Sequence, residues 1–157
     1  MMTVASAALV LGASTANAQS FTYDVTWEPV DGVGGMMGPD GYQGFGGVVN
    51  GTYTTSFSDG TESSGTVKCV GMDQPDNGLF DIHMSCSISD ANGSTSSSVY
   101  GCNYLGEPGP DTALGCVGGI QAREGEAAGM NGGLTMHWYS ETKASGTGQW
   151  YAPTASE

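Results

Sequence analysis

Residues 80–104, FDIHMSCSISDANGSTSSSVYGCNY, decide the fold class. Phe80, Ile82, Met84, Cys86 and Ile88 alternate with Asp81, His83, Ser85 and Ser87. A period of two puts the two sets on opposite faces of an extended strand, one apolar and one polar. Asp90-Ala91-Asn92-Gly93 then turns the chain, and Ser96 to Tyr104 runs back. Asp and Asn side chains bond the local backbone of a turn, and Gly accepts the positive φ that tight turns need. The segment is an antiparallel hairpin.

The same pattern extends in both directions. Toward the N-terminus, Val48 to Phe57 and Ser64 to Met72 are strands flanking a tight turn at Asp59-Gly60. Further back, Phe21, Tyr23, Val25 and Trp27 alternate with Thr22, Asp24, Thr26 and Glu28, and Pro29 ends that strand. Toward the C-terminus, Leu114 to Ala122 is a strand. The Gly-rich stretch 125–133 leads into Leu134, Met136 and Trp138, and a last strand covers Gly146 to Tyr151. Residues 19–157 have no stretch of 3.6-residue periodicity and are rich in Gly, Ser and Thr. These signals predict a single all-β domain of about eight antiparallel strands, either a barrel or a sandwich. A barrel is preferred, because closure removes exposed edges and the chain has only Lys68, Lys143 and Arg123 to guard them.

Residues 31–47, DGVGGMMGPDGYQGFGG, show no period and read as a long Gly-rich loop. Loops of that length in compact domains tend to be lids or binding segments. Met36, Met37, Tyr42 and Phe45 on this loop are therefore expected ligand-binding residues, with Trp138 from the strand region and with Tyr42 and Phe45 closing over a barrel mouth.

The first residues, MMTVASAALVLGASTANAQS, hold a short apolar run followed by Ala16-Asn17-Ala18. This is the small-x-small pattern of a signal-peptide cleavage site, and the run is too short to span a bilayer. The expected organisation is a leader over 1–18 and one β domain over 19–157, secreted or periplasmic. The basic residue that usually precedes such a run is missing. Four cysteines, at 69, 86, 102 and 116, fit two disulfides in an exported domain. Turn signals within 73–78 and 107–110 favour Cys69–Cys86 and Cys102–Cys116. The competing arrangement joins Cys86 to Cys102 across Asn92-Gly93 and leaves Cys69 with Cys116.

Sixteen acidic residues stand against three basic ones, for a net charge of −13. Neither phosphate binding nor a polybasic membrane anchor is available to such a chain, so nucleic acid and anionic membrane surfaces are not expected partners. An oligomer is compatible with the sequence.

Candidate chemistry is sparse. His83 and His137, with Asp81, carry metal-ligand and acid–base side-chain types, and would meet if their strands were neighbours. Without that adjacency they are surface residues. The Asp-Gly steps match turn chemistry rather than a calcium loop, and no G-x-S-x-G nucleophile elbow is present. No cofactor and no metal centre is expected. The Tyr and Trp side chains are core material, and a lumen lined with them would suit a cyclic or aromatic ligand.

Residues 115–138, GCVGGIQAREGEAAGMNGGLTMHW, resemble the Gly-rich hairpin of the dirigent and allene oxide cyclase type of eight-stranded barrel. Gly118-Gly119 opens a strand, Gly125 and Gly129 mark the bend, and Gly132-Gly133 leads into the alternating return. The resemblance covers this hairpin alone. It implies a closed barrel whose cavity binds small, largely apolar molecules, and it transfers no catalytic residue. The expected function is non-catalytic binding of a small apolar or aromatic molecule. The alternatives are a barrel cyclase or isomerase and a structural or adhesive surface protein.

Overall fold

The computed structural model describes residues 18–28, 31–37, 43–74, 78–108 and 111–151, with backbone alone for 31–37 and 43–45. The expected leader and residues 152–157 lie outside the described residues, apart from Ala18. The described chain is all β: β1 (Gln19–Trp27), β2 (Asp31–Met37), β3 (Gln43–Phe57), β4 (Glu62–Asp73), β5 (Ile82–Asp90), β6 (Thr95–Tyr104), β7 (Leu114–Glu124), β8 (Asn131–Ser140) and β9 (Lys143–Tyr151).

Neighbouring strands run antiparallel in the order β1-β9-β8-β7-β6-β5-β4-β3, and β3 pairs with β1 from Phe21↔Phe57 to Trp27↔Gly51. That last pairing closes an eight-stranded barrel. β2 continues the line of β1 along β3, from Asp31↔Val48 to Met37↔Gln43, and projects past the end of the barrel where Trp27 lies. The Glu28 N–H donates to the Asn50 carbonyl at 2.8 Å and carries the ladder toward the break.

The expectation of a loop over residues 31–47 is therefore corrected. Asp31–Met37 is a strand, and Gln43–Gly47 begins β3. Gly faces Gly at Gly32↔Gly47, and Val33 faces Gly46. Glycine has no side chain to mark a face, so a Gly-rich ribbon pairs through its backbone without leaving a period-two signal in the sequence.

Alternation sets the two faces. The side chains of Phe21, Tyr23, Val25 and Trp27 are buried, while Thr22, Asp24 and Thr26 are exposed. Tight turns at 58–61 and 91–94 rely on Gly60 (φ 85°) and Gly93 (φ 86°), each donating its N–H to the carbonyl three residues back at 3.0 Å. Asp59 Oδ1 accepts the Thr61 N–H at 2.9 Å, and Asp90 Oδ1 accepts the Asn92 N–H at 2.7 Å. These are the Asx–Gly interactions expected of such turns.

Both disulfides join residues directly opposite one another, Cys69–Cys86 across β4–β5 and Cys102–Cys116 across β6–β7. All four cysteines are buried on the inner face. The pairing favoured by the turn positions is the one observed.

The inner wall follows a rule of its own. Large inward side chains face glycines across the sheet: Phe21↔Gly148, Tyr23↔Gly146, Trp27↔Gly51 and Tyr100↔Gly118. A Cβ added at Gly146 would fall 2.5 Å from the Tyr23 ring, and at Gly118 2.9 Å from the Tyr100 ring. The rings lie flat over backbone that only glycine leaves bare. This keeps bulky side chains against the wall and leaves space along the barrel axis.

Candidate functional site: the barrel lumen

That space is a cavity of about 490 Å³. It reaches the turns at 91–94 and 125–130, so its mouth is at the end of the barrel opposite the β2–β3 hairpin. The Ser58 N–H bonds the Ser20 carbonyl at the mouth end of β1, and the Trp27 N–H bonds the Thr142 carbonyl at its far end. At that far end Trp27 stacks on Trp138, with centroids 4.7 Å apart and planes 16° from parallel, and seals the floor.

The walls differ in character. On β1 and β9, Phe21, Val25 and Trp150 present apolar surface, and the Phe21 ring lies 5.7 Å from Phe57 and 6.0 Å from Trp150. On β6, Ser96, Ser98 and Tyr100 point inward in succession, with Ser94 at the rim. In a ring of eight strands β6 stands four places from β1 in either direction, so the apolar and hydroxyl walls face one another. The two walls are linked around the barrel: Tyr23 lies over Gly146 of β9, Tyr100 over Gly118 of β7, and their hydroxyls meet beside Thr135 of β8. Tyr23 Oη lies 3.2 Å from Tyr100 Oη and donates to the Thr135 carbonyl at 2.8 Å.

Burial pushes both phenols above their ordinary pKa: desolvation dominates, and for Tyr23 the nearby Tyr100 adds to it. For Tyr100, hydrogen bonding from Tyr23 and the nearby Ser98 hydroxyl oppose that rise. Ser98 Oγ, 2 % exposed, has no hydrogen-bond partner within 3.5 Å, and neither does the buried Trp27 Nε1. A buried polar atom without a partner costs about 1–3 kcal/mol. At the mouth stand Asp90 and Glu126, the only Asp, Glu, Lys, Arg or His among the described lining residues. Asp90 and burial raise the pKa of Tyr53, with burial the larger cause.

The residues expected from the sequence are distributed differently. Trp138 is floor rather than cavity wall. Met36, Met37 and Phe45 have their backbone on the hairpin at the far end from the mouth, and Tyr42 lies outside the described residues. His83 on β5 and His137 on β8 are exposed on the outer face with β6 and β7 between them, so the structure does not bring them together. His83 packs edge-on to Phe80 at 5.6 Å, and His137 packs against Tyr139. Asp81 accepts the Tyr104 N–H at 2.9 Å and holds a loop. Among the described residues no group of three His, Cys, Asp or Glu side chains is placed to hold a metal ion.

In the sequence Ser96 and Ser98 look like surface residues, yet both line the cavity. The signal that finds them is parity with Cys102. Once that cysteine is placed inside by its disulfide, every second residue back along β6 must also face inward.

The chain matches no protein-family model, no curated protein and no solved structure.

Proposed function

We propose that the barrel binds one small, neutral, largely apolar molecule in its lumen and does not transform it. The observation that carries this is the walled cavity, with an aromatic side and a hydroxyl side. Its volume falls within the range of about 300–1,000 Å³ that small-molecule sites occupy. The inner groups are phenols and serine hydroxyls, whose pKa values lie far above neutrality, so proton transfer at neutral pH has little support inside. The resemblance of residues 115–138 to dirigent-type hairpins, with the apolar-ligand cavity it implies, points the same way.

We also propose that the protein works outside the cytoplasm. Two intramolecular disulfides are compatible with an extracellular or periplasmic location. No helix among the described residues is long and apolar enough to cross a membrane.

The test is a fluorescence titration with pyrene, a flat neutral probe, against the natural protein and Ser96→Phe. Ser96 is half-buried on the cavity wall, and a phenyl ring there would occupy the lumen. Burying that ring adds about 1.5–3 kcal/mol of apolar stabilisation, so the variant should fold at least as well. Pyrene affinity should fall at least about tenfold, the equivalent of 1.4 kcal/mol. Equal pyrene affinity in the two proteins would place the binding outside the lumen.

A further inference from the structure

We propose that the outer face of β4–β7 is the surface by which two copies of this chain form a symmetric dimer. That face is apolar. Val70 on β4, Val99 on β6 and Val117 on β7 are each more than half exposed, as are Met72 and Leu105. The register makes them neighbours. Val70 and Val99 flank Ser85 in one row, and Met72, His83, Gly101 and Val117 follow one another in the next. Side chains from the floor end roof two glycines of the face. A Cβ at Gly101 would fall 2.3 Å from the Phe80 ring, and one at Gly115 would fall 2.9 Å from Leu105. These residues spread the apolar surface across the sheet. Contiguous exposed apolar surface of this kind marks an interaction site. The far side of the barrel contrasts with it, exposing Thr52, Thr54 and Ser56 on β3 and Asp24 on β1.

Charge identifies the partner as a second copy. The chain has 16 acidic residues and a net charge of −13, yet residues 66–72, 83–89, 97–103 and 115–123 hold no Asp or Glu and include Lys68 and Arg123, two of the three basic residues. Two such molecules repel, and a contact without carboxylates at its centre brings them together at least cost. Charge is also sorted along the face. Lys68 and Arg123 lie on the mouth side of the valines. Arg123 Nε donates to Ser97 Oγ at 3.1 Å and so lies across the face, while Glu124 accepts from Thr95 Oγ1. Asp81, Glu107 and Asp111 are exposed on the floor side. A two-fold axis running across the strands lays the face on its counterpart with the strands antiparallel. Each copy's cations then approach the other's floor carboxylates, with the valines packed between. An apolar core with a charged rim is the anatomy of a specific interface. The two lumen mouths stay open and point in opposite directions, so this contact stands apart from the lumen reading.

Sedimentation velocity over a concentration series tests it. The natural protein should be a dimer that dissociates on dilution. Val99→Glu sets a carboxylate from each copy at the centre of the contact and should weaken the dimer at least about tenfold. Val117→Glu, an independent position on the face, should weaken it too. Thr52→Glu, on the far wall, should change it by no more than about twofold, because solvent screens a charge at that distance. An equimolar mixture of Val99→Glu and Val99→Lys should form the dimer that neither variant forms alone, a rescue that a mere folding defect does not give. Pyrene affinity should be the same in Val99→Glu and the natural protein. A natural protein that is monomeric throughout would overturn the proposal. So would a dimer that survives both glutamate substitutions, which would place the contact elsewhere.

Discussion

Gly148→Ala tests the glycine–aromatic wall on which the lumen depends. Gly148 sits directly across the sheet from Phe21. A methyl group there would overlap the far edge of the Phe21 ring and come within 3.0 Å of the Gly133 carbonyl oxygen. Backbone cannot yield cheaply, so the ring has to swing toward the barrel axis. It then gives up its edge contact with Phe57 and its tilted contact with Trp150. Aromatic pairs contribute about 0.5–1.5 kcal/mol each, and overpacking a fitted site costs about 1–3 kcal/mol. The two routes agree on a loss of about 1–3 kcal/mol. For a chain of this length each kcal/mol moves the midpoint by about 2–4 °C. Gly119→Ala is the control. It lies on the outer face, where an added Cβ meets nothing nearer than the Gly132 carbonyl oxygen at 3.8 Å. There the gain in strand propensity and the reduced freedom of the unfolded chain should leave stability equal or higher. Differential scanning calorimetry reads both variants, and a pyrene titration should show weaker binding in Gly148→Ala because the displaced ring enters the cavity. Equal midpoints for Gly148→Ala and the natural protein would refute the claim that Phe21 lies against bare backbone.

Two further predictions follow from the wall and its staples. Removing either disulfide by paired Cys→Ala substitution should lower stability by about 3 kcal/mol, because separations of 17 and 14 residues give nearly equal loop-closure terms. Chemical denaturation measures this, and a loss confined to one pair would contradict the entropic account. Alkaline pH should unfold the barrel. Tyr23 and Tyr100 have folded pKa values above the unfolded value of 10.0. The native state therefore binds more protons above that pH, and stability falls as pH rises past about 10. Tyrosinate absorbance should rise together with loss of structure. A gradual rise in tyrosinate from these two residues while the fold persists would refute their burial.

Much of the barrel was legible because its strands alternate. The register of β5 with β6 follows from Ile82 to Ile88, a turn carrying Asp90 and Gly93, and the return through Cys102. The disulfides were legible for the same reason: each pair brackets a turn, and cross-strand cysteines sit opposite one another. β2 was hidden because glycine erases the period that betrays a strand. The site was harder. Trp138 looks like ligand-binding surface by residue type, but its stacking on Trp27 is a contact between non-neighbouring strands that no local pattern encodes. Met36 and Met37 stood out because they interrupt a run of glycine, yet their strand leaves the barrel at the end away from the mouth. Ser98 was overlooked because burial of a serine inverts the usual preference, and such inversions mark places where a structure gives up stability for another end.

The central claim is that the lumen, and not the outer face, is where a small molecule binds. A crystal structure of the protein grown with pyrene decides between the two. The ring system is expected inside the barrel, against Phe21 and Trp150. A lumen closed by collapsed side chains, or a probe seated on the outer face near Val99 and Val117, would contradict it.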